Sequence, residues 1–428
     1  MTGESFDFTI ERLGECRFPS PMPVGRFTGD SERILYHCRA EDIEGYRDRG
    51  LPPPTLELAG PREKIFFDPS SIACGIVTCG GLCPGINDVI RAVVLSLNHH
   101  YGVRKIYGFR YGYEGVVKRN GIAPLQLTPE SVADIGDLGG TILGSSRGPQ
   151  DPVEMVEMLA ELEIGILFAI GGDGTLKGAG AISREARRQG KAISVIGIPK
   201  TIDNDISCVQ NSFGFETAVA EAQRAIYAAH TEALGARNGI GLVKLMGRDS
   251  GFIAAYATLV ESAANFCLVP EVPFTLPGFL SALEQRLKRR GHAVVVVAEG
   301  AGQELVQQGG RDASGNVKLG DIGIFLRDAI KKHFAESGSE INLKYIDPSY
   351  IIRSQPANAH DSALCLLLGH SAVHAGMAGR TGMVVGVWNH QITHVPIALA
   401  TEKRKKIDQD GWLWCSVLAC TGQPAEMF

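Results

Sequence analysis

The sequence predicts an α/β protein built on mainly parallel sheets that are covered by helices on both faces. Short apolar runs rich in Val and Ile, which are typical of strands buried on both faces, alternate with longer segments of helical periodicity. Several of these runs end in a glycine-containing turn, and in such folds ligands bind beyond the carboxyl ends of the strands. At 428 residues, the chain is expected to form more than one compact unit.

The regular pattern begins at residue 72. The elements predicted in the first half are a strand at 72–78, a helix with its apolar face at 89–97, strands at 105–109, 164–170 and 192–198, and a helix at 175–189 that ends at Gly190. Those predicted in the second half are helices at 214–234, 321–334 and 357–377, a helix that opens after 249–251, and strands at 241–246, 293–298 and 382–388. The alternation of strands and helices indicates parallel sheets.

Residues 1–70 differ from the rest because Pro and charged residues are frequent and strong periodicity is missing. Two interpretations stay open. The segment is either an extension that lies on the core or on a partner, or a partly disordered arm.

Composition excludes several classes of protein. Hydrophobic residues make up 44% and charged residues 21%, and the net charge is −5 without a basic tail, so nucleic acid is not an expected partner. Ten cysteines are scattered, and Cys79 and Cys83 lack a second pair that would complete a zinc site, which indicates reduced thiols in the cytoplasm. The first 15 residues do not resemble a signal peptide, and the apolar runs are too short for a membrane span.

Two glycine-rich segments are candidates for phosphate binding. Residues 80–87 (GGLCPGIN) follow a strand and precede a helix, where backbone N–H groups attract anions, although a tight structural turn is the alternative. They match neither G-x-G-x-x-G nor the P-loop, which disfavours a Rossmann cofactor site and a Walker ATPase. Residues 139–148 (GGTILGSSRG) lead to Arg147, which is either a phosphate clamp or a surface side chain.

Two acidic turns indicate phosphoryl transfer. Residues 171–175 (GGDGT) place Asp173 between glycines after a strand, where a carboxylate can bind Mg²⁺ or cap the next helix. Residues 199–205 (PKTIDND) place Lys200 three residues before Asp203 and put Asp205 two residues after it. An aligned carboxylate can take the proton from an attacking hydroxyl, and a nearby cation favours its charged form. A solvated acidic turn is the alternative.

Three further segments are suited to a sugar phosphate, although none is specific alone. They are 246–251 (MGRDSG) with Arg248, Glu299-Gly300 after the buried run at 293–298, and 344–353 (KYIDPSYIIR) with Lys344, Tyr350 and Arg353. Together with the four earlier segments, they occur in an order and spacing that resemble the phosphofructokinase family, over about residues 72–390.

This resemblance implies that ATP phosphorylates the 1-hydroxyl of fructose 6-phosphate to give fructose 1,6-bisphosphate in glycolysis. It also implies two three-layer α/β/α domains with the active site in the cleft, and a cytoplasmic homotetramer or homodimer of the kind often regulated allosterically. The predicted domains are an N-terminal extension at 1–70, a phosphoryl-donor domain at 71–214 with 353–406, and a sugar-phosphate domain at 215–352 with 407–428.

By the same resemblance, Asp203 would be the base, with Arg248 and Lys200 also catalytic, and Asp173 would hold Mg²⁺. The residues expected to bind ATP are Gly81, Arg147, Gly148, Gly172, Asp173, Gly174 and Thr175. The residues expected to bind fructose 6-phosphate are Thr201, Ile202, Asp203, Met246, Gly247, Arg248, Glu299, Lys344, Tyr350, Ile351, Ile352 and Arg353.

Two positions bear on the phosphoryl donor. In the pyrophosphate-dependent branch an Asp follows the metal-binding Asp and would crowd the α-phosphate of ATP, whereas this chain has Gly174. That branch also carries the lysine found here as Lys200. The mixture is similar to the trypanosomal and plant ATP-dependent enzymes, and because a clash rejects a ligand more sharply than a lost contact does, we expect ATP. A pyrophosphate-dependent enzyme is the alternative.

Other functions are alternatives, and the sequence differs from the bacterial phosphofructokinases at several positions. GGDGT also occurs in lipid and NAD kinases. A non-catalytic sugar-phosphate sensor is a further alternative, but the presence of Asp173, Asp203 and Asp205 argues against it. Where bacterial enzymes have a subunit-bridging Arg, this chain has Gly239. Of the two effector-binding Arg positions only Arg91 is kept, since Leu95 stands at the second. Tyr350 replaces the His of the bacterial enzymes, as it does in the pyrophosphate branch.

Overall fold

The computed structural model describes residues 6–23, 25–306, 309–310 and 317–428. The strands within these residues are β1 (Glu11–Arg12), β2 (Phe18–Pro19), β3 (Arg33–Leu35), β4 (Thr55–Leu58), β5 (Lys64–Ile65), β6 (Ala73–Thr78), β7 (Lys105–Phe109), β8 (Leu125–Gln126), β9 (Ile164–Gly171), β10 (Ser194–Pro199), β11 (Gly239–Leu245), β12 (Phe266–Leu268), β13 (His292–Ala298), β14 (Asn342–Ile346), β15 (Arg380–Thr381), β16 (Met383–Trp388) and β17 (Gln391–Pro396).

The helices within the same residues are α1 (Ala40–Asp48), α2 (Ile86–Leu95), α3 (Pro152–Glu161), α4 (Asp173–Arg188), α5 (Phe215–Leu234), α6 (Phe252–Val260), α7 (Leu276–Arg290), α8 (Ile322–Glu336), α9 (Ala359–Met377), α10 (Ile397–Ala400) and α11 (Trp412–Thr421). A π-helical segment, Ser96–His100, continues α2. The chain divides into two compact units. The first comprises Met1–Thr201, Ile206–Gly214 and Pro356–Lys403, and the second comprises Ile202–Asp205, Phe215–Gln355 and Arg404–Phe428.

The first unit is organised around a nine-stranded sheet with the order β3-β4-β17-β16-β10-β9-β6-β7-β8. The five central strands from β16 to β7 are parallel, while β3, β4, β17 and β8 add antiparallel pairs at the edges. The predicted α/β class is therefore confirmed. The antiparallel edges do not follow from the alternation of strands and helices in the sequence.

Side chains of β9 alternate between two helical layers, as the two-residue period of a strand requires. Leu167 and Ala169 belong to a buried cluster that also contains residues of α3, α4 and α10. On the other face, a Cβ at Gly376 of α9 would come within 2.8 Å of Ile166 and 3.5 Å of Phe168. This close approach of α9 explains why β9 is buried along its whole length.

The second unit contains a four-stranded parallel sheet with the order β12-β13-β11-β14. Val and Ile side chains on one face pack with the apolar faces of α7 and α8 in one buried cluster. The opposite face is covered by α5, which lies so close that a Cβ at Gly241 would be 2.7 Å from the carbonyl oxygen of Ala229. Both faces are therefore buried, which is the environment that the run of valines in β13 predicts.

Residues 6–70, apart from residue 24, pack on the first unit, as the first of the two interpretations expected. β4 joins the edge of the large sheet by pairing with β17, and β3 pairs with β4. β1 pairs with β15, so the beginning of the described chain also meets the segment after α9. These contacts join residues far apart in the sequence, which is why local periodicity did not reveal them.

A buried cluster of charges holds this extension to the core. Arg380 is 1% exposed and its guanidinium donates to Glu57 at 2.9 Å and to Asp30 at 2.6 Å. Arg62 Nη2 and His394 Nδ1 also contact Glu57 Oε1, each at 3.1 Å. Burial by itself would raise the pKa of Glu57, but the hydrogen bond from His394 and the positive charge of Arg380 outweigh it and lower the pKa below its usual range. Glu57 therefore stays ionised and compensates the buried cations.

We expect Glu57→Gln to destabilise the protein strongly, by about 3–5 kcal/mol, because two guanidinium groups would lose their buried counter-charge. Because the pKa of Glu57 is lowered in the folded protein, its contribution is present at neutral pH and is lost as the solution becomes acidic. Thermal unfolding at pH 7 should show a clear fall in Tm. Glu63→Gln, at an exposed neighbouring carboxylate, is the matched control. Equal Tm values for the two variants would contradict the role given to the cluster.

Candidate active site

In the first unit, three of the predicted segments follow neighbouring parallel strands and are joined by Lys200. Residues 80–87 follow β6, residues 171–175 lie at the end of β9, and Lys200 follows β10. The backbone N–H of Lys200 donates to the carbonyl of Gly171 at 3.0 Å. Its ammonium group donates to the carbonyl of Gly81 at 2.5 Å, and the residue is only 5% exposed. Lys200 therefore fixes the spacing of the three turns.

The segment at 139–148 is attached to the same cluster. The backbone N–H of Gly80 donates to Ser146 at 3.0 Å, and the Ser145 hydroxyl donates to Gly80 at 2.6 Å. Arg147 and Gly148 follow directly, with Arg147 exposed and Gly148 at a φ of 106°, a value that favours glycine. The structure thus places Arg147 next to the anchored part of this loop, with its guanidinium accessible to a ligand.

Residues 172–175 form the start of α4. Gly172 is the N-cap, and Asp173 is the first helical residue, two positions earlier than the sequence predicted. The Asp173 carboxylate is 15% exposed and forms an ion pair with Lys177 at 3.1 Å. Thr175 is buried and its carbonyl accepts a hydrogen bond from Tyr113 at 2.7 Å. The N–H groups of this helix start are suited to an anionic ligand.

Gly174 differs from its neighbours because, apart from the adjacent residues and the backbone of its own helix, no atom of the described chain lies within 4 Å of the position that a Cβ would occupy. In contrast, a Cβ at Gly171 would collide with the Thr175 side chain at 2.1 Å. Folding therefore requires glycine at 171 but does not require it at 174. A side chain at 174 would meet solvent or a bound molecule.

The turn that carries Asp203 is strongly constrained on both sides. The Ser212 hydroxyl donates to the carbonyl of Thr201 at 2.6 Å. Ile202 is buried, and Asn204 has a φ of 53°, in the left-handed region that Asn tolerates better than most residues. Asp205 is 1% exposed, whereas Asp203 is half-buried.

Within the second unit, several carboxylates surround Asp203. Burial raises the pKa of Asp203 well above its usual value, and the charges of Asp205, Glu299 and Asp249 raise it further, while Arg404 acts in the opposite direction. Asp203 is therefore a stronger base than an exposed aspartate, since a group with a raised pKa holds a proton more tightly. The sequence predicted Asp203 and Asp205 together but not the contribution of Arg404.

The segments at 246–251 and 299–300 form one rigid corner at the ends of β11 and β13. The N–H of Glu299 donates to Leu245 at 2.9 Å and that of Gly300 donates to Gly247 at 3.0 Å. Gly247 has a φ of 126°, and a Cβ at Gly300 would collide with the carbonyl of Arg248. Met246, Arg248 and Glu299 are all half-buried at this corner, and the Arg248 guanidinium donates to the carbonyl of Val317.

Glu299 is the electrostatic centre of this corner. Burial raises its pKa, while the cations Lys244, Arg248 and Arg353 oppose the effect. Lys244 was missed by the sequence analysis, although a lysine inside an otherwise buried strand is a detectable signal. Its ammonium group contacts Asp347 at 2.7 Å and Asp321 at 3.3 Å, and these contacts outweigh burial and raise its pKa.

The two basic residues of the predicted segment 344–353 lie in different places in the structure. Arg353 lies with its guanidinium 5.0 Å from the centre of the Tyr350 ring, Tyr350 and Ile351 are exposed, and Ile352 is buried. Lys344 is exposed in the middle of β14, opposite Gly241 of β11. Because β11 continues for four residues to Leu245, the Lys344 backbone lies about 13 Å short of the strand end. The described residues therefore bring Arg353, but not Lys344, to Glu299.

Among the described residues, no three His, Cys, Asp or Glu side chains are grouped as a ready metal site. Asp173 places one partly exposed carboxylate, paired with Lys177, at a helix start. Such a carboxylate fits Mg²⁺, because this ion commonly binds one or two carboxylates and completes its shell with water and phosphate oxygens. Among the residues that the structure describes, no helix is both long enough and apolar enough to span a membrane.

Comparison with known proteins agrees with the sequence resemblance. The family model described as phosphofructokinase matches residues 73–376. The chain is 49% identical to the ATP-dependent 6-phosphofructokinase of Amycolatopsis methanolica, over 100% of this chain and 97% of that protein. It is 45% identical to the enzyme of the same name from Trypanosoma brucei brucei, over 97% and 87% of the two chains. ATP-dependent 6-phosphofructokinase 7 of Arabidopsis thaliana is 48% identical, over 86% and 76%.

Solved structures support the fold independently. A pyrophosphate-dependent phosphofructokinase from Marinobacter aquaeolei superposes with a TM-score of 0.69 at 22% identity, covering 82% of this chain and 92% of that one. One from Nitrosospira multiformis gives a TM-score of 0.68 at 19% identity, covering 82% and 92%. The extent of the family match and the identities to full-length relatives lead to one conclusion: the chain belongs to the phosphofructokinase family.

Proposed function

We propose that the protein is an ATP-dependent 6-phosphofructokinase that transfers the γ-phosphoryl group of ATP to the 1-hydroxyl of fructose 6-phosphate. The observation that carries the proposal is the 49% identity, along the whole chain, to a protein of that activity. The products are ADP and fructose 1,6-bisphosphate, and the reaction is a step of glycolysis.

Asp203 is the general base in this proposal. It accepts the proton of the sugar hydroxyl while the hydroxyl oxygen forms its bond to the γ-phosphorus. Only the ionised carboxylate can accept the proton, and the charge of Arg404 favours that form, while the raised pKa makes the ionised form a stronger base. Arg248 stands close enough to Glu299 to affect its pKa, and its guanidinium is suited to the charge that develops on the phosphoryl oxygens.

The first unit supplies the groups for the donor. Backbone N–H groups of residues 80–81 and of the start of α4 receive phosphate oxygens, together with Arg147 and Gly148. Lys200 acts mainly by holding Gly81 and Gly171 in place, and its charge adds to the attraction. Asp173 would hold Mg²⁺, which screens the charge of the donor phosphates when it is bound.

For the sugar phosphate, we infer that Glu299 accepts hydrogen bonds from the sugar hydroxyl groups and that Arg248 and Arg353 face the phosphate group. The remaining members of the proposed set are Thr201, Ile202, Met246, Gly247, Tyr350, Ile351 and Ile352. Lys344 is kept as a predicted phosphate contact, although its position in mid-strand makes it the weakest member of the set. The family resemblance supports a cytoplasmic homotetramer or homodimer with allosteric regulation.

A pyrophosphate-dependent phosphofructokinase is the second candidate. Lys200, which that branch shares, favours it, and the structural neighbours from M. aquaeolei and N. multiformis carry that name. Gly174 argues against a pyrophosphate-dependent enzyme, because nothing in the described chain fills the space beside this residue. This space leaves room for ATP, the larger of the two donors.

We expect Asp203→Asn to lower kcat by about two to four orders of magnitude, because the variant keeps the shape of the side chain but removes the base. The KM for fructose 6-phosphate should change little. Steady-state kinetics with ATP and fructose 6-phosphate tests this, and Asp410→Asn, at an exposed carboxylate of the second unit, is the control. Turnover within about tenfold of the unmodified protein would rule out Asp203 as the essential base.

ATP and pyrophosphate offered separately to the purified protein, with fructose 6-phosphate and Mg²⁺, test the donor. We expect turnover with ATP and little with pyrophosphate. Formation of fructose 1,6-bisphosphate is measured in both arms. Robust turnover with pyrophosphate alone would establish the second candidate instead.

We expect Gly174→Asp to raise the KM for ATP by at least tenfold, since an added carboxylate would repel and crowd the nucleotide phosphates. The position tolerates a Cβ without contact, so the fold should be kept. Gly174→Ala is the matched control and should behave nearly as the unmodified protein. An unchanged KM for ATP in Gly174→Asp would refute the steric argument.

A further inference from the structure

A run of four basic residues near the carboxyl end, Lys403–Lys406, contributes a cation to the acidic turn that carries Asp203. Arg404 Nη1 lies 2.5 Å from Asp205 Oδ2. The backbone N–H of Lys405 donates to the carbonyl of Asp205 at 2.8 Å. Asp205 is therefore held by this segment through both its side chain and its backbone, although nearly 200 residues separate them in the sequence.

The segment itself is firmly anchored. The Ser250 hydroxyl donates to the carbonyl of Lys405 at 2.5 Å, and the Lys406 ammonium group donates to the carbonyl of Asp249 at 3.0 Å. The Lys405 ammonium group lies 5.3 Å from the centre of the Phe252 ring. Arg404 thus approaches Asp205 from a fixed backbone, and its side chain is 32% exposed while that of Asp205 is 1% exposed.

Several charged groups act on the ionisation of Asp203. Asp205, Glu299 and Asp249 all oppose the ionisation of Asp203, and Arg404 favours it. Lys405 is a second cation beside Asp205, and because burial lowers its pKa to about 8, it loses its charge as the pH rises above neutrality. Lys244, Arg248 and Arg353 counter Glu299 in the same way, with Asp347 acting against them. Arg404 contacts Asp205 directly and favours the ionised form of Asp203, and a guanidinium keeps its charge at every working pH.

We propose that Arg404 is a positioning residue for the phosphoryl transfer, which holds the turn through Asp205 and offsets the charge of Asp205 beside the base. This inference rests on the proposed kinase activity and deepens it. When the sugar hydroxyl gives its proton to Asp203, that proton must find an ionised carboxylate. Without Arg404, the two carboxylates together would retain a proton to higher pH, as like charges in one site do.

The test is the pH profile of kcat/KM for fructose 6-phosphate at saturating ATP, which reports groups of the ATP-bound protein before the sugar phosphate binds. In Arg404→Met we expect the acid limb to move to higher pH by about one unit, and kcat at neutral pH to fall by about tenfold or more. The KM for fructose 6-phosphate should stay within about twofold, since Arg404 acts through Asp205 and not on the sugar.

Two further variants separate charge from packing. Arg404→Lys keeps the positive charge and should leave the acid limb within about 0.3 unit of the unmodified protein, even if kcat declines. The double variant Arg404→Met with Asp205→Asn removes both charges, and its acid limb should return toward that of the unmodified protein. Lys331→Met, which removes an exposed cation of α8 in the same unit, is the control and should not move the limb.

An acid limb that stays in place in Arg404→Met would overturn the inference, and so would equal shifts in Arg404→Met and Arg404→Lys. Failure of the double variant to restore the limb would show that the ion pair is structural only. Turnover of the unmodified protein is measured first, so a lack of kinase activity would be recognised as failure of the proposed function and not of the role of Arg404. Thermal unfolding of each variant identifies any that do not fold.

Discussion

A buried lysine holds together the edge of the first unit's sheet at which β6, β9 and β10 end. Lys200 donates its backbone N–H to the strand end at Gly171 and its ammonium group to the carbonyl of Gly81. Burying an ammonium group is costly unless it is hydrogen-bonded or paired, so this arrangement must be satisfied for the edge to form at all. In the sequence, this lysine was one of the two positions that bear on the choice of donor. Its geometry here shows a structural task that does not depend on which donor binds.

In the second unit, the comparable constraint is the balance of charge. Acidic side chains gather around Asp203 and Glu299, and each group is matched by a cation supplied from a different part of the chain. Arg404 comes from near the carboxyl terminus, whereas Lys244 comes from the middle of β11. In this unit, the charge balance of Asp203 and Glu299 therefore depends on cations that lie outside the short segments carrying the two acids.

Much of the core could be predicted from the sequence because its strands are buried on both faces. β9 was expected at 164–170 and ends at Gly171, and β7 was placed at its observed limits. The extension was not predictable in detail: β4 contains Glu57, whose burial depends on Arg380 more than 300 residues later. Arg404 was missed for the same reason, since four consecutive basic residues are typical of a solvated surface and only the fold brings one of them to Asp205.

The open space beside Gly174 has a consequence for how the family can diversify. At Gly171 or Gly300 any side chain would collide with the chain itself, so the fold forbids change there. At Gly174 an added side chain would not collide with the rest of the described chain. Folding alone therefore does not fix the residue at this position, and if Gly174 has the proposed role, a substitution there would act on the donor without first destabilising the scaffold. The constraint on residue 174 then comes from the bound ligand and not from the packing of the chain.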